Sequence, residues 1–152
     1  MSESIQIAEN KTLKLNNILY REIGSTDNKE LNKTMKMIES YMKSNELKPY
    51  GPLIIMSETD ISGTVNNTIM VQLRLEPKKT DPPYSFDESM RIERCLMARY
   101  MGPANTIQMA SMKAQVYAFE NNIELSGISY TIVTEQRQDG TILADIFLET
   151  AK

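Results

Sequence analysis

The 152-residue chain has no histidine, no tryptophan and one cysteine. Without histidine there is no Ser-His-Asp triad, no Cys-His pair and no imidazole metal ligand. Carboxylates do not recur at the spacing of a calcium loop, so neither a metal nor a cofactor is expected. The lone Cys95 cannot form an internal disulfide, which fits a reducing compartment. Within the run Met90 to Met101 it reads as a small buried apolar residue of a strand. No apolar run approaches a bilayer span, and the start MSESIQIAENKT has neither the basic opening nor the apolar stretch of a secretory signal. The expected location is the cytoplasm, with no membrane partner.

Charge of either sign is also modest. Seventeen basic against twenty acidic residues leave a net charge of -3. That is not the dense Lys/Arg field that phosphate backbones require, so direct nucleic-acid binding is not expected. Hydrophobic residues at 41% and charged residues at 24% are ordinary for a globular chain, and the length suits one domain, residues 1 to 152.

What is present is an internal repeat. Thr12 to Ile23 alternates as a strand and ends at Gly24. Ser25, Thr26 and Asp27 then offer caps for a helix running to about Asn45. Arg91 to Met101 does the same, ending at Gly102 and passing through Pro103, Ala104 and Asn105 into a helix that ends near Asn122. An ungapped offset of 78 pairs Gly24 with Gly102, Arg21 with Arg99, Ile38 with Val116, Tyr41 with Phe119 and Leu47 with Leu125. The spacing predicts apolar stripes of Leu31, Met35, Ile38, Tyr41 and Met42 on the first helix, and of Met109, Met112, Val116 and Phe119 on the second.

Two strands follow each helix: Leu53 to Glu58 and Thr68 to Glu76, then Ile128 to Glu135 and Thr141 to Glu149. Gly63 to Asn67 and Gln138-Asp139-Gly140 supply the turns. The last strands align at an offset of 73, which assigns five extra residues to the first hairpin loop. The expected class is α+β: duplicated β-α-β-β modules, about 12–76 and 90–150 with a connector at 77–89, forming one antiparallel sheet with two helices on one face.

The run Ala98-Arg99-Tyr100-Met101-Gly102-Pro103-Ala104, followed by an amphipathic helix and a hairpin, resembles the GyrI-like small-molecule-binding family. That family includes effector-binding domains of multidrug-sensing regulators. The resemblance implies a groove for lipophilic, often cationic compounds with an acidic residue near its floor. Strand parity puts Leu73, Leu75, Ile146 and Leu148 under the helices and Gln72, Arg74, Glu76, Asp145, Phe147 and Glu149 on the opposite face. Tyr100 and Tyr130 add aromatic surface. The candidate ligand-binding set is therefore Tyr100, Tyr130, Asp145, Phe147 and Glu149, with no catalytic residue assigned.

Only about eleven residues precede the first strand, too few for a DNA-reading module, so a stand-alone protein that binds or sequesters a small lipophilic compound is expected. Two other readings stay open. One is a protein-interaction or inhibitor module, which the eleven methionines would suit as an adaptable surface, although helical spacing makes most of them core. The other is a hydrolase of strained electrophiles with Glu149, Asp145 or Tyr130 as the base, since some members of the resembled family act so.

Overall fold

The computed structural model describes residues 4–24 and 27–151. Six strands and two helices follow in the order β1 (Ser4–Gly24), α1 (Asn28–Ser44), β2 (Ile54–Thr59), β3 (Val65–Gln72), β4 (Ser85–Pro103), α2 (Gln108–Glu120), β5 (Leu125–Gln136) and β6 (Thr141–Thr150). A single 3-10 turn, Ala104–Thr106, leads into α2. The chain is α+β with antiparallel strands and two β-α-β-β repeats. Two compact units share the long strands. One unit holds Lys14–Arg91; the other holds the described residues up to Leu13 and from Ile92 onward. Both long strands start earlier than their alternation suggested, β1 at Ser4 and β4 at Ser85.

In the Lys14–Arg91 unit β3 lies between β1 and β2. Asp27 caps α1, its carboxylate accepting the Glu30 N–H at 2.8 Å; Ser25 and Thr26 lie outside the described residues. Ile38 and Met42 of α1 bury against Leu19, Ile69, Val71 and Leu73. Tyr41 stacks on Tyr84 with ring centroids 4.2 Å apart. Leu75, expected under the helix, lies beyond the end of β3 and is exposed.

In the other unit β6 lies between β4 and β5. Its core is Leu96, Ala98, Tyr100, Ile142, Ala144, Ile146 and Leu148 against Ala110, Ala114 and Ala118 of α2. The expected stripe of Met109, Met112, Val116 and Phe119 is instead exposed. Tyr100 is the reason. Its ring stands on the helix side of β4 and fills the space beneath α2, so only alanine fits in the helix face above it. The Tyr100 hydroxyl donates to Pro103 O at 2.7 Å and lies 2.7 Å from Thr106 Oγ1, which ties the strand end to the 3-10 turn.

The two repeats match at different offsets from those the sequence suggested. Both helices end alike: Asn45 Nδ2 donates to Tyr41 O and Asn121 Nδ2 to Tyr117 O, each at 2.8 Å, an offset of 76. Both hairpins turn alike: Gly63 N donates to Asp60 O and Gly140 N to Arg137 O, an offset of 77. The first hairpin loop is therefore Asp60–Thr64, closed by Asp60 N on Thr64 O as the second is by Arg137 N on Thr141 O, and carries no five-residue insertion; Val65–Asn67 belong to β3. Leu47 matches Ile123, not Leu125: each N–H closes its helix end, on Met42 O and Ala118 O respectively, at 2.8 Å. The change of offset comes from bulges, one between Glu22 and Gly24 in β1 and one between Val133 and Glu135 in β5. Each adds one residue to one repeat only and reverses strand parity beyond it.

Candidate ligand-binding face

Residues paired across antiparallel strands project to the same side, so the ladder β4-β6-β5 can be read in rows. Tyr100 pairs with Ala144 and with it joins the core under α2. The next row, Arg99-Asp145-Ile132, points to the opposite, non-helical face, as does Met97-Phe147-Tyr130 two rows further on. Four of the five candidate residues are thus brought together: Tyr130 beside Phe147, with Asp145 and Glu149 two positions either side of it on β6. Tyr100 is separated from them. It alternates with Arg99 and lies on the helix side, fully buried, with its hydroxyl satisfied.

Phe147 and Met97 are half-buried and Tyr130 is buried. This apolar row is bordered by charge on both sides. Asp145 is held in a fork by Arg99, Nε to Oδ1 at 2.8 Å and Nη2 to Oδ2 at 3.2 Å. That geometry fixes both side chains and neutralises the carboxylate, and the hydrogen bonds accepted by Asp145, together with its negative charge, raise the pKa of the mostly exposed Arg99. Glu149 accepts a hydrogen bond from Ser126 Oγ at 3.2 Å. Of the two acidic candidates, Asp145 has a cationic partner in Arg99, whereas among the described residues Glu149 is held by a hydroxyl.

Sequence reasoning passed over Arg99 and Cys95 as parts of this face. Both follow from parity once β4 and β6 are in register, because Cys95, Met97 and Arg99 alternate with the core residues Leu96, Ala98 and Tyr100. Cys95 is buried, and its Sγ donates to Ile92 O at 3.5 Å. Burial, reinforced by the negative charge of Glu149, pushes its thiol from an ordinary 9.0 up to about 11. The folded chain therefore keeps a proton that the unfolded chain loses first. The Cys95 contribution to stability is fully present below pH 9 and is lost as pH rises from there towards 11. At pH 8 a disulfide reagent should leave native Cys95 unmodified and label it only after unfolding. Glu149→Gln should lower the Cys95 pKa, measured by thiolate absorbance; an unchanged value would contradict the placement of Glu149 beside it.

The other unit repeats the arrangement at equivalent positions, with Tyr20, Met70 and Ile54 in one row. Polar chemistry differs there, since Glu22 and Thr68 occupy the positions of Arg99 and Asp145. In the same unit an apolar cavity of about 360 Å³ opens between α1 and the segment before β2, lined by Met42, Leu47, Pro49, Leu53 and Val71. Among the described residues no group of three or more His, Cys, Asp or Glu is placed to hold a metal, and no helix is long and apolar enough to cross a membrane.

By sequence, no family model and no curated protein matches the chain. By structure it is similar to the C-terminal domain of EcmrR, with a TM-score of 0.72 at 13% identity, covering 100% of this chain and 99% of that one. It is similar to SAV2435 bound to tetraphenylphosphonium, TM-score 0.51 at 7% identity, covering 97% and 94%. A hydrolase from Listeria innocua matches with TM-score 0.55 at 9% identity, covering 97% and 91%. At such identities the likeness is one of fold, and that fold is the GyrI-like one to which the run Ala98 to Ala104 points.

Proposed function

We propose that this chain is a GyrI-like domain that binds or sequesters a small lipophilic compound, on the non-helical face of β4-β6-β5. The observation that carries this reading is the row Met97-Phe147-Tyr130, an aromatic and thioether row bordered by one carboxylate, Glu149, that among the described residues is held by the Ser126 hydroxyl rather than by a cation. Ligand sites are mostly apolar with a few placed polar groups, and methionine adapts to ligands of varied shape. A neighbour of the same fold is bound to tetraphenylphosphonium, which makes a lipophilic cation the first probe to use.

The cation preference rests on Glu149, because Arg99 already occupies both oxygens of Asp145. Phe147→Ala should weaken tetraphenylphosphonium at least tenfold, an aromatic contact of a kind that dominates such sites. Glu149→Gln should weaken it by about 1–3 kcal/mol while leaving the lipophilic anion tetraphenylborate unaffected. Calorimetry on wild type and both variants decides this. Equal binding of both probes, unchanged by either substitution, would overturn the assignment. The hydrolase reading, which a Listeria neighbour of the same fold keeps in view, would place the base at Glu149, and turnover of an epoxide lost in Glu149→Gln would favour it.

A further inference from the structure

β5 does not start in step with β6. Leu125 pairs with Thr150 and Ser129 with Leu148, so Ser126, Gly127 and Ile128 together stand opposite Glu149 alone. A bulge of this kind re-aims the side chains on it. Gly127 takes the left-handed turn at φ 96°, where a side chain would be strained. The Ile128 N–H then donates to Ser126 Oγ at 3.2 Å, and Ser126 Oγ donates to Glu149 Oε2 at 3.2 Å. A serine hydroxyl has one proton and a carboxylate only accepts, so that proton is committed to Glu149.

The bulge does not need this pair in order to form. In the other repeat Pro49 pairs with Leu73 and Ile54 with Met70, five steps against three, the same excess of two residues as the four steps against two here. Gly51, at φ 105°, takes the place of Gly127. Tyr50 stands where Ser126 does and Gln72 where Glu149 does, at offsets of 76 and 77. There the Gln72 side-chain oxygen accepts the Asn16 N–H at 3.0 Å and Tyr50 is exposed. The contact between Ser126 and Glu149 is therefore an addition to a bulge that folds without it.

The addition leaves one oxygen of Glu149 in a set place. Ser126 occupies Oε2, and among the described residues no hydrogen bond reaches Oε1; the nearby Cys95 thiol donates to Ile92 O instead. Asp145 differs, with both oxygens in the fork of Arg99. A carboxylate free to turn serves any cation through charge alone, whereas an oxygen held in place suits a directional N–H donor, and charge-assisted bonds of that kind are the strong ones. Resting on the proposed role of the Met97-Phe147-Tyr130 row, we infer that Ser126 is a positioning residue for Glu149, and that it selects a protonated amine on an aromatic body over a quaternary cation.

Calorimetry with two matched probes tests this: naphthylmethyl-dimethylamine, protonated near neutral pH, and its trimethylammonium analogue, which keeps the ring and the charge and has no N–H. Wild type should bind the amine about tenfold more tightly, the effect of one hydrogen bond to a charged group. Ser126→Ala should abolish that preference with both probes still bound and an unchanged circular dichroism spectrum. Ser126→Thr, which keeps the hydroxyl, should retain the preference, and Ser126→Val, of the same shape without it, should not. Glu149→Gln should weaken both probes. Equal binding of the two probes by wild type, or a preference that survives both Ser126→Ala and Ser126→Val, would overturn the role of Ser126 while a loss in Glu149→Gln left the binding face standing. Failure of Glu149→Gln to weaken either probe would overturn the acidic border of that face, and this inference with it.

Discussion

Tyr100→Ala should lower the stability of the chain by about 3–5 kcal/mol, the cost of truncating a large buried ring and leaving a cavity. The side chain is fully buried between β4 and α2, and its neighbours Ala98, Ala110, Ala114 and Ala144 are too small to close the space it would leave. Tyr100→Phe separates ring from hydroxyl. It should cost about 1 kcal/mol, since Thr106 Oγ1 still reaches Pro103 O at 3.2 Å. Denaturant unfolding followed by circular dichroism measures both. A loss below about 1 kcal/mol for Tyr100→Ala would mean that this ring does not fill the space beneath α2.

Ala114→Leu should destabilise by about 1–3 kcal/mol, for the opposite reason. Ala114 sits at the centre of the helix face that rests over Tyr100, and added methyl groups would have to displace either the ring or the helix. The contrasting variant is Val116→Ala, two positions along and exposed, which should change monomer stability by no more than about 0.5 kcal/mol. The equivalent site in the other repeat, at the same offset of 76, is Ile38, which buries among Leu19, Ile69, Val71 and Leu73. If Val116→Ala proved the more damaging of the two, the orientation of α2 would be wrong.

These two substitutions mark where sequence reasoning succeeded and where it failed. Element order and the second hairpin turn were legible, because period-two and helical patterns alternate cleanly and Gly140 sits at a positive φ of 88° in the turn; the match of Gly24 to Gly102 was not, since Gly24 pairs with Asn67 as Tyr100 pairs with Ala144. The face of α2 was not. Large apolar side chains outweigh alanines in any hydrophobic count, yet the evenly spaced stripe Ala110, Ala114, Ala118 was a visible signal of close approach. The misread offset has a physical cause as well. An ungapped comparison cannot see that a bulge in β1 and another in β5 each insert a residue into one repeat. Parity on β6 was right because no bulge interrupts its pairing with β4, so Asp145, Phe147 and Glu149 fell together as expected. Tyr100 was misassigned for want of that same register: it neighbours Arg99 in sequence and therefore faces the other way.

The role of the Met97-Phe147-Tyr130 row as a binding surface can be read directly from the methionines. With methyl-labelled methionine, a titration with tetraphenylphosphonium should shift and broaden the Met97 signal, which lies in the row beside Phe147, while Met37 and Met112 on exposed helix faces stay unmoved. Phe147→Ala should abolish the Met97 response. Shifts confined to Met42, at the apolar cavity beside α1, or to Met109 and Met112 on the outer face of α2, with Met97 silent, would contradict the assignment of the ligand to this face.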